Sequence, residues 1–127
     1  MGQQQLLLIV LGVIIVGIAV VVGINLFNAN ATNANRDGVI SDLNNLGAMA
    51  QQFYKKPTSM GGGGNTFTGW TIPTGLDSTA NGTYSATVNA QSVTIPGTGT
   101  ETGDDGTNPV GAQAVVSPTT ITVSVTN

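Results

Sequence analysis

The chain contains no cysteine and no histidine. The first absence excludes disulfides and thiolate chemistry, and the two together exclude the usual structural zinc sites and every catalytic triad built on imidazole. Charge is almost as scarce. Of 127 residues only 7% are charged, the cations being Arg36, Lys55 and Lys56 and the anions Asp37, Asp42, Asp77, Glu101, Asp104 and Asp105. A net charge of −3 without a basic cluster leaves nothing to neutralise a run of phosphates, which excludes nucleic acid as a partner. Aromatic residues, at 5%, are too few for a stacked electron path, so Phe27, Phe53, Tyr54, Phe67, Trp70 and Tyr84 read as core or subunit-contact residues. With so little acid, base or nucleophile available, an enzyme is not expected. The polar residues present are mainly Thr, Asn, Ser and Gly, a neutral hydrogen-bonding surface that suits a secreted or cell-surface protein.

What the chain does have is one long hydrophobic run, Leu6 to Ile24, LLLIVLGVIIVGIAVVVGI. As a helix these nineteen residues span about 28 Å, close to the ~30 Å hydrocarbon core of a bilayer. The run is apolar on every side, so lipid or protein must surround it. A secretory signal would show a basic n-region and a shorter apolar stretch; here no Lys or Arg precedes Arg36, and cleavage after Ala19 fits poorly. Gly12, Gly17 and Gly23 are spaced by five and six, which is not the small-xxx-small pairing motif. Glycine and β-branched residues are weak helix formers in water, so Val13 to Gly23 is a candidate for local unwinding in a polymer.

No proline occurs before Pro57, so the apolar helix can continue into an amphipathic one. Val39, Ile40, Leu43, Leu46, Met49, Ala50, Phe53 and Tyr54 fall at helical spacing on one face. Lys55 and Lys56 complement the helix dipole, and Pro57 stops the helix. Gly38 marks a possible bend, and the Asn/Ala-rich patch from Asn28 to Asn35 is the weakest link. Gly61 to Gly64 reads as a flexible linker; with no flanking strand, helix or Lys-Ser/Thr pair it is not a phosphate loop.

Beyond the glycines, short strands are expected at Thr66 to Ile72, Thr83 to Val88, Ser92 to Ile95, Gly111 to Val116 and Thr120 to Val125. Turns are expected at Asn81-Gly82 and around Asn89 to Gln91, a loop at Gly97 to Asn108, and a hairpin break at Ser117-Pro118. Ile72, Val88, Val93, Ile95, Val115, Ile121, Val123 and Val125 are the residues available to face the helix. The fold class is therefore α+β, a long N-terminal helix followed by a small antiparallel sheet. Its segments are a hydrophobic helix over 1–27, an amphipathic helix over 28–57, a linker over 58–65 and a β-rich surface domain over 66–127.

This layout, with MGQQQLLLIVLGVIIVGIAVVVGINLF at its head and FYKKP closing the helix, resembles that of type IV pilins and the pseudopilins of type II secretion. The resemblance implies a structural subunit of an extracellular, cell-surface filament: a homopolymer of many copies, held in the inner membrane before the pilus assembly machinery packs its N-terminal helices together. The alternatives are a pseudopilin acting as a short secretion piston, and a single-span membrane-anchored surface protein that binds through its β domain without polymerising. The residues it implicates in assembly are Gln5, Leu6, Leu7, Leu8, Ile9, Leu11, Gly12, Ile14, Ile15, Gly17, Ile18, Gly23, Leu26 and Phe27. The family usually has glutamate at the fifth mature position, where it pairs with a neighbour's N-terminal amine. Counting from Met1 that position is Gln5, which accepts a hydrogen bond but carries no charge; cleavage after Gly2 would make it Leu7. The Cys pair common in the C-terminal region of pilins is absent.

Two further sets of residues are candidates. Glu101, Asp104 and Asp105 in a Gly/Asn-rich loop either lie in solvent or ligate calcium, as loops do in some major pseudopilins, although the spacing is not that of an EF-hand. Calcium is the one cofactor considered. Asn30-Ala-Thr32 and Asn81-Gly-Thr83 fit the acceptor pattern for N-glycosylation.

Overall fold

Helix propensity along the N-terminal half is uneven, yet a single α-helix, α1, runs from Gly2 to Lys55. In this computed structural model, which describes residues 2–127, the chain divides into two compact units, one ending at Ala31 and the other comprising Thr32–Asn127. In the first unit the helix passes through Gly12, Gly17 and Gly23 without a break. β-Branched residues cost a helix only tenths of a kcal/mol each, and without strand partners the i to i−4 bonds are the only way to satisfy the backbone. Each large apolar side chain recorded from Leu6 to Phe27 is more than half exposed.

The second unit begins with the amphipathic part of α1, which also continues straight through Gly38 in its hydrogen bonding. Val39, Leu43, Leu46 and Ala50 are buried, and Ile40, Met49, Phe53 and Tyr54 pack beside them, as the spacing foretells. Burying each large aliphatic side chain contributes about 1.5–3 kcal/mol, so this stripe fixes which face of the helix meets the sheet.

The glycine run is not a free linker. Its amides turn back onto the end of α1: Gly63 N–H donates to Phe53 O (2.8 Å), Gly64 N–H to Lys56 O (2.9 Å) and Asn65 N–H to Tyr54 O (2.8 Å). These are carbonyls that a helix end leaves without intrahelical partners. A side chain on Gly63 would collide with the Thr66 carbonyl and the Phe53 ring, so only glycine lets the segment come this close.

The sheet is antiparallel throughout. Its strands are β1 (Gly82–Tyr84), β2 (Thr87–Val88), β3 (Val93–Thr102), β4 (Pro109–Val116) and β5 (Ile121–Val125), in the order β1-β3-β4-β5 with β2 also paired to β3. Val93 and Ile95 of β3 and Val110, Ala112, Ala114 and Val116 of β4 form the buried face.

Several sequence expectations need correction. Thr66 to Ile72 is not a strand but a turn, with Trp70 N–H donating to Phe67 O (2.9 Å). Phe67 and Trp70 are both buried, and residues three apart in a strand would face opposite sides. The expected strand Thr83 to Val88 divides into β1 and β2. The expected loop from Gly97 is strand as far as Thr102: β1 pairs with Gly97 to Gly99, and β4 with Gly97, Thr98 and, after an irregularity in register, Thr102. Val115 points outward and is 41% exposed, since β4 buries the residues on either side of it; the unbroken apolar triplet Ala114-Val115-Val116 concealed the alternation. Val125 is 47% exposed.

Candidate functional sites

In the first unit, the residues implicated in assembly are all on α1. Gln5, Leu6, Leu7, Leu8, Ile9, Leu11, Gly12, Ile14, Ile15, Gly17, Ile18, Leu26 and Phe27 are exposed, and Gly23 is half-buried with no atom near the place a Cβ would take. Leu7, Leu11, Ile14 and Ile18 repeat at four and three residues and form one continuous stripe, but the other faces are equally apolar. The segment is long and apolar enough to cross a membrane.

The acidic loop of the second unit does not gather its carboxylates. Asp104 Oδ1 accepts from Arg36 Nη2 at 2.7 Å. Asp105 folds onto its own loop, where Oδ1 accepts from the backbone N–H of Thr107 and of Asn108 (both 2.9 Å) and Oδ2 from Asn108 Nδ2 (2.7 Å). Those backbone amides of Thr107 and Asn108, then the Asn108 side chain, hold the Asp105 carboxyl down at about 2. Glu101 contributes its backbone N–H to Asn35 Oδ1 (3.2 Å). Among the described residues no group of three acidic side chains is placed to hold a metal ion. In this arrangement the three carboxylates are apart, with local amides on Asp105 and Arg36 on Asp104.

A polar clamp that the motif search missed lies between α1 and the sheet of this unit. Asn35 is the buried polar residue of the core, and its amide makes four bonds: Nδ2 donates to Asn81 O (2.7 Å) and Thr100 Oγ1 (3.2 Å), while Oδ1 accepts from the N–H of Thr100 (3.0 Å) and Glu101 (3.2 Å). Two turns along the helix, Asp42 Oδ2 accepts from Tyr84 Oη (2.6 Å), Thr79 Oγ1 (2.8 Å) and Asn81 Nδ2 (3.2 Å). Burial pushes the Asp42 carboxyl up, but the bonds from Tyr84, Thr79 and Asn81 together outweigh it and the net displacement is downward. Burial, followed by the bond to Asp42, pushes the Tyr84 hydroxyl well above its ordinary range.

Gly38 lies between Asn35 and Asp42 on this face. It is not a bend: a Cβ there would stand 2.5 Å from Asn81 Oδ1, so the glycine makes room for the Asn81 amide. Asn81 Nδ2, the atom a glycan would occupy, is thus engaged with Asp42 in the folded chain, whereas Asn30 is exposed. One signal for the clamp was present in the sequence. Asn35 and Asp42 fall at helical spacing within the stripe of Val39, Leu43 and Leu46, where polar residues must find internal partners.

Beside the clamp a groove of about 310 Å³ is lined by Asp42, Asn45, Met49, Gln52, Leu76 and Thr79 among others. The carboxylate at its edge is already committed to three donors, which suits a structural anchor better than an acid or base. Comparison with family models, with curated proteins and with solved structures finds no match to this chain.

Proposed function

We propose that this protein is the structural subunit of an extracellular filament of the type IV pilus kind, which polymerises through its hydrophobic N-terminal helix. One observation carries the reading. The large apolar side chains from Leu6 to Phe27 have no cover within their own chain, while Thr32–Asn127 encloses a complete core of its own. The second unit therefore has no need of the first for its stability. An uncovered apolar helix of membrane-spanning length needs lipid or other helices around it.

The mechanism has two stages. The monomer waits with its N-terminal segment in the inner membrane, and assembly then transfers that segment from lipid into an array of identical helices. Lipid chains and apolar side chains are similarly hydrophobic, so the transfer gains little from the hydrophobic effect and close packing supplies the preference. The same heterologous contact, repeated without closing, generates a fibre.

The test is cryo-electron microscopy of filaments sheared from cells that express the tagged chain. The expected result is a tube of packed helices, with density for the β domain on its surface. Recovery of the chain only in the membrane fraction, with no filament containing it, would overturn the reading in favour of a membrane-anchored surface protein. Appearance only in short periplasmic assemblies would favour a secretion pseudopilin.

A further inference from the structure

Asn81-Gly82 is the one Asn-Gly pair in the chain, and both of its residues are set by the fold. Gly82, at the start of β1, is buried, and a Cβ there would collide with the Thr98 carbonyl oxygen, so glycine is required. Asn81 is held from three directions: its N–H donates to Thr79 Oγ1 (3.1 Å), its Nδ2 to Asp42 Oδ2 (3.2 Å), and its O accepts from Asn35 Nδ2 (2.7 Å). Its side-chain amide is seated against Gly38, in space that any larger residue would fill.

Asparagine before glycine is also the pair in which the backbone most readily attacks the side chain, because glycine has no Cβ to obstruct the approach and turns freely into it. Hydroxide takes the proton of the Gly82 N–H, and the nitrogen attacks Asn81 Cγ. The new N–Cγ bond closes a five-membered imide, the Cγ–Nδ2 bond breaks, and Nδ2 leaves as ammonia. Water then opens the imide at either carbonyl, giving aspartate or isoaspartate. One amide and one water become one carboxylic acid and one ammonia, with no oxidation. The folded unit opposes two of these steps. Burial of Gly82 shields its nitrogen from hydroxide, and bringing Cγ onto that nitrogen means turning an Asn81 that its three bonds and the Gly38 seat hold in place.

We propose that Asn81 is a deamidation site which the clamp holds closed, and that the reaction, once it occurs, leaves the clamp unable to close again. The product carboxylate has no proton to donate to Asp42 Oδ2, and it sets a second negative charge against a carboxylate that now has Tyr84 and Thr79 as its remaining donors. Isoaspartate also lengthens the main chain by one carbon in the turn whose carbonyl accepts from Asn35. An opening of the second unit that would otherwise reverse is thereby made permanent. The inference stands on Thr32–Asn127 alone and holds whether or not the N-terminal helices polymerise.

The test incubates the full chain in detergent at mildly alkaline pH, folded and in guanidinium, and follows aspartate and isoaspartate at position 81 by peptide mass spectrometry. Releasing the three bonds of Asn81 shifts an opening equilibrium by about tenfold or more, so conversion is expected to be slower by at least that factor in the folded chain. Asp42→Ala, checked for folding by circular dichroism, should deamidate faster than the parent chain. Thr79→Val removes a donor to Asp42 and the acceptor of the Asn81 N–H, and takes its place if Asp42→Ala does not fold. The deamidated fraction, separated by ion exchange, should unfold at a lower temperature than the unmodified one, and Asn81→Asp should do the same. Equal rates in folded and unfolded chains, a folded clamp variant that deamidates no faster than its parent, or a deamidated chain with an unchanged unfolding temperature would overturn the inference.

Discussion

The same helix serves two regions that obey opposite rules. Up to Ala31 its apolar side chains are open on every face, whereas from Thr32 onward a single stripe is buried and polar residues inside that stripe are fully engaged. The contrast shows that burial in one chain need not be completed by that chain. The second unit spends its hydrophobic residues on a core of Phe67, Leu43, Leu46, Ile95 and their neighbours. The first keeps its hydrophobic surface for whatever surrounds it.

The sharpest way to break this contrast is to truncate equivalent leucines. Leu43→Ala, at a fully buried site, should destabilise the second unit by about 2–5 kcal/mol, visible as a lower unfolding temperature by circular dichroism. Leu11→Ala, at a 53% exposed site, should leave that transition where it is. An equal loss from both would show that the units are not independent.

A charge in the first region should act on membrane residence instead of unfolding. Ile14→Arg is expected to cost about 2.5–3.5 kcal/mol at the centre of a spanning helix, shifting the chain from the membrane to the soluble or aggregated fraction. The unfolding temperature of the second unit should not move.

Within the second unit, Asp42→Asn leaves Tyr84, Thr79 and Asn81 competing for a neutral acceptor and should cost about 1–3 kcal/mol. The pH dependence follows from the same contacts. A carboxyl lower in the folded than in the unfolded chain means that the unfolded chain binds protons first. The contribution of Asp42 is therefore fully present above its ordinary 3.8 and lost as pH falls through the folded value, and Asp105 behaves alike between 3.8 and about 2. Tyr84 has the opposite sign: its contribution is present below 10.0 and is lost as pH rises beyond that through its raised folded value. Unfolding curves should decline at both extremes, and Asp42→Asn should flatten both limbs.

The smallest effect is expected from Arg36→Ala. Asp104 is 73% exposed, and an ion pair open to solvent on one side contributes about 0–1 kcal/mol, diminishing with added salt.

The helices were legible because their signals are periodic and long: nineteen apolar residues in one case, the Val39 to Tyr54 stripe in the other. The last hairpin was legible from alternation and from Ser117-Pro118. The strand at Gly97 to Thr102 was not, because Gly and Thr carry little period-2 signal and the pairing that makes them a strand comes from β1 and β4. The clamp was hidden for a similar reason. Asn35 and Asp42 are marked by their place in the apolar stripe, but their partners Asn81, Thr100 and Tyr84 arrive from 42 to 65 residues away.

By itself the sequence determined that residues Leu6 to Ile24 cannot face water, that the amphipathic helix has one inner face, and that neither disulfide nor imidazole is available, since all three depend only on residue type and local spacing. Tertiary structure decided what the glycines do, where the carboxylates point and which sheet edge stays open. Gly63 closes a helix end, Gly38 admits an amide, Asp104 goes to Arg36 and β5 is left without a strand on its outer side. Each of these is settled by atoms distant in the chain competing for the same hydrogen bond or the same space, and local sequence does not encode the winner.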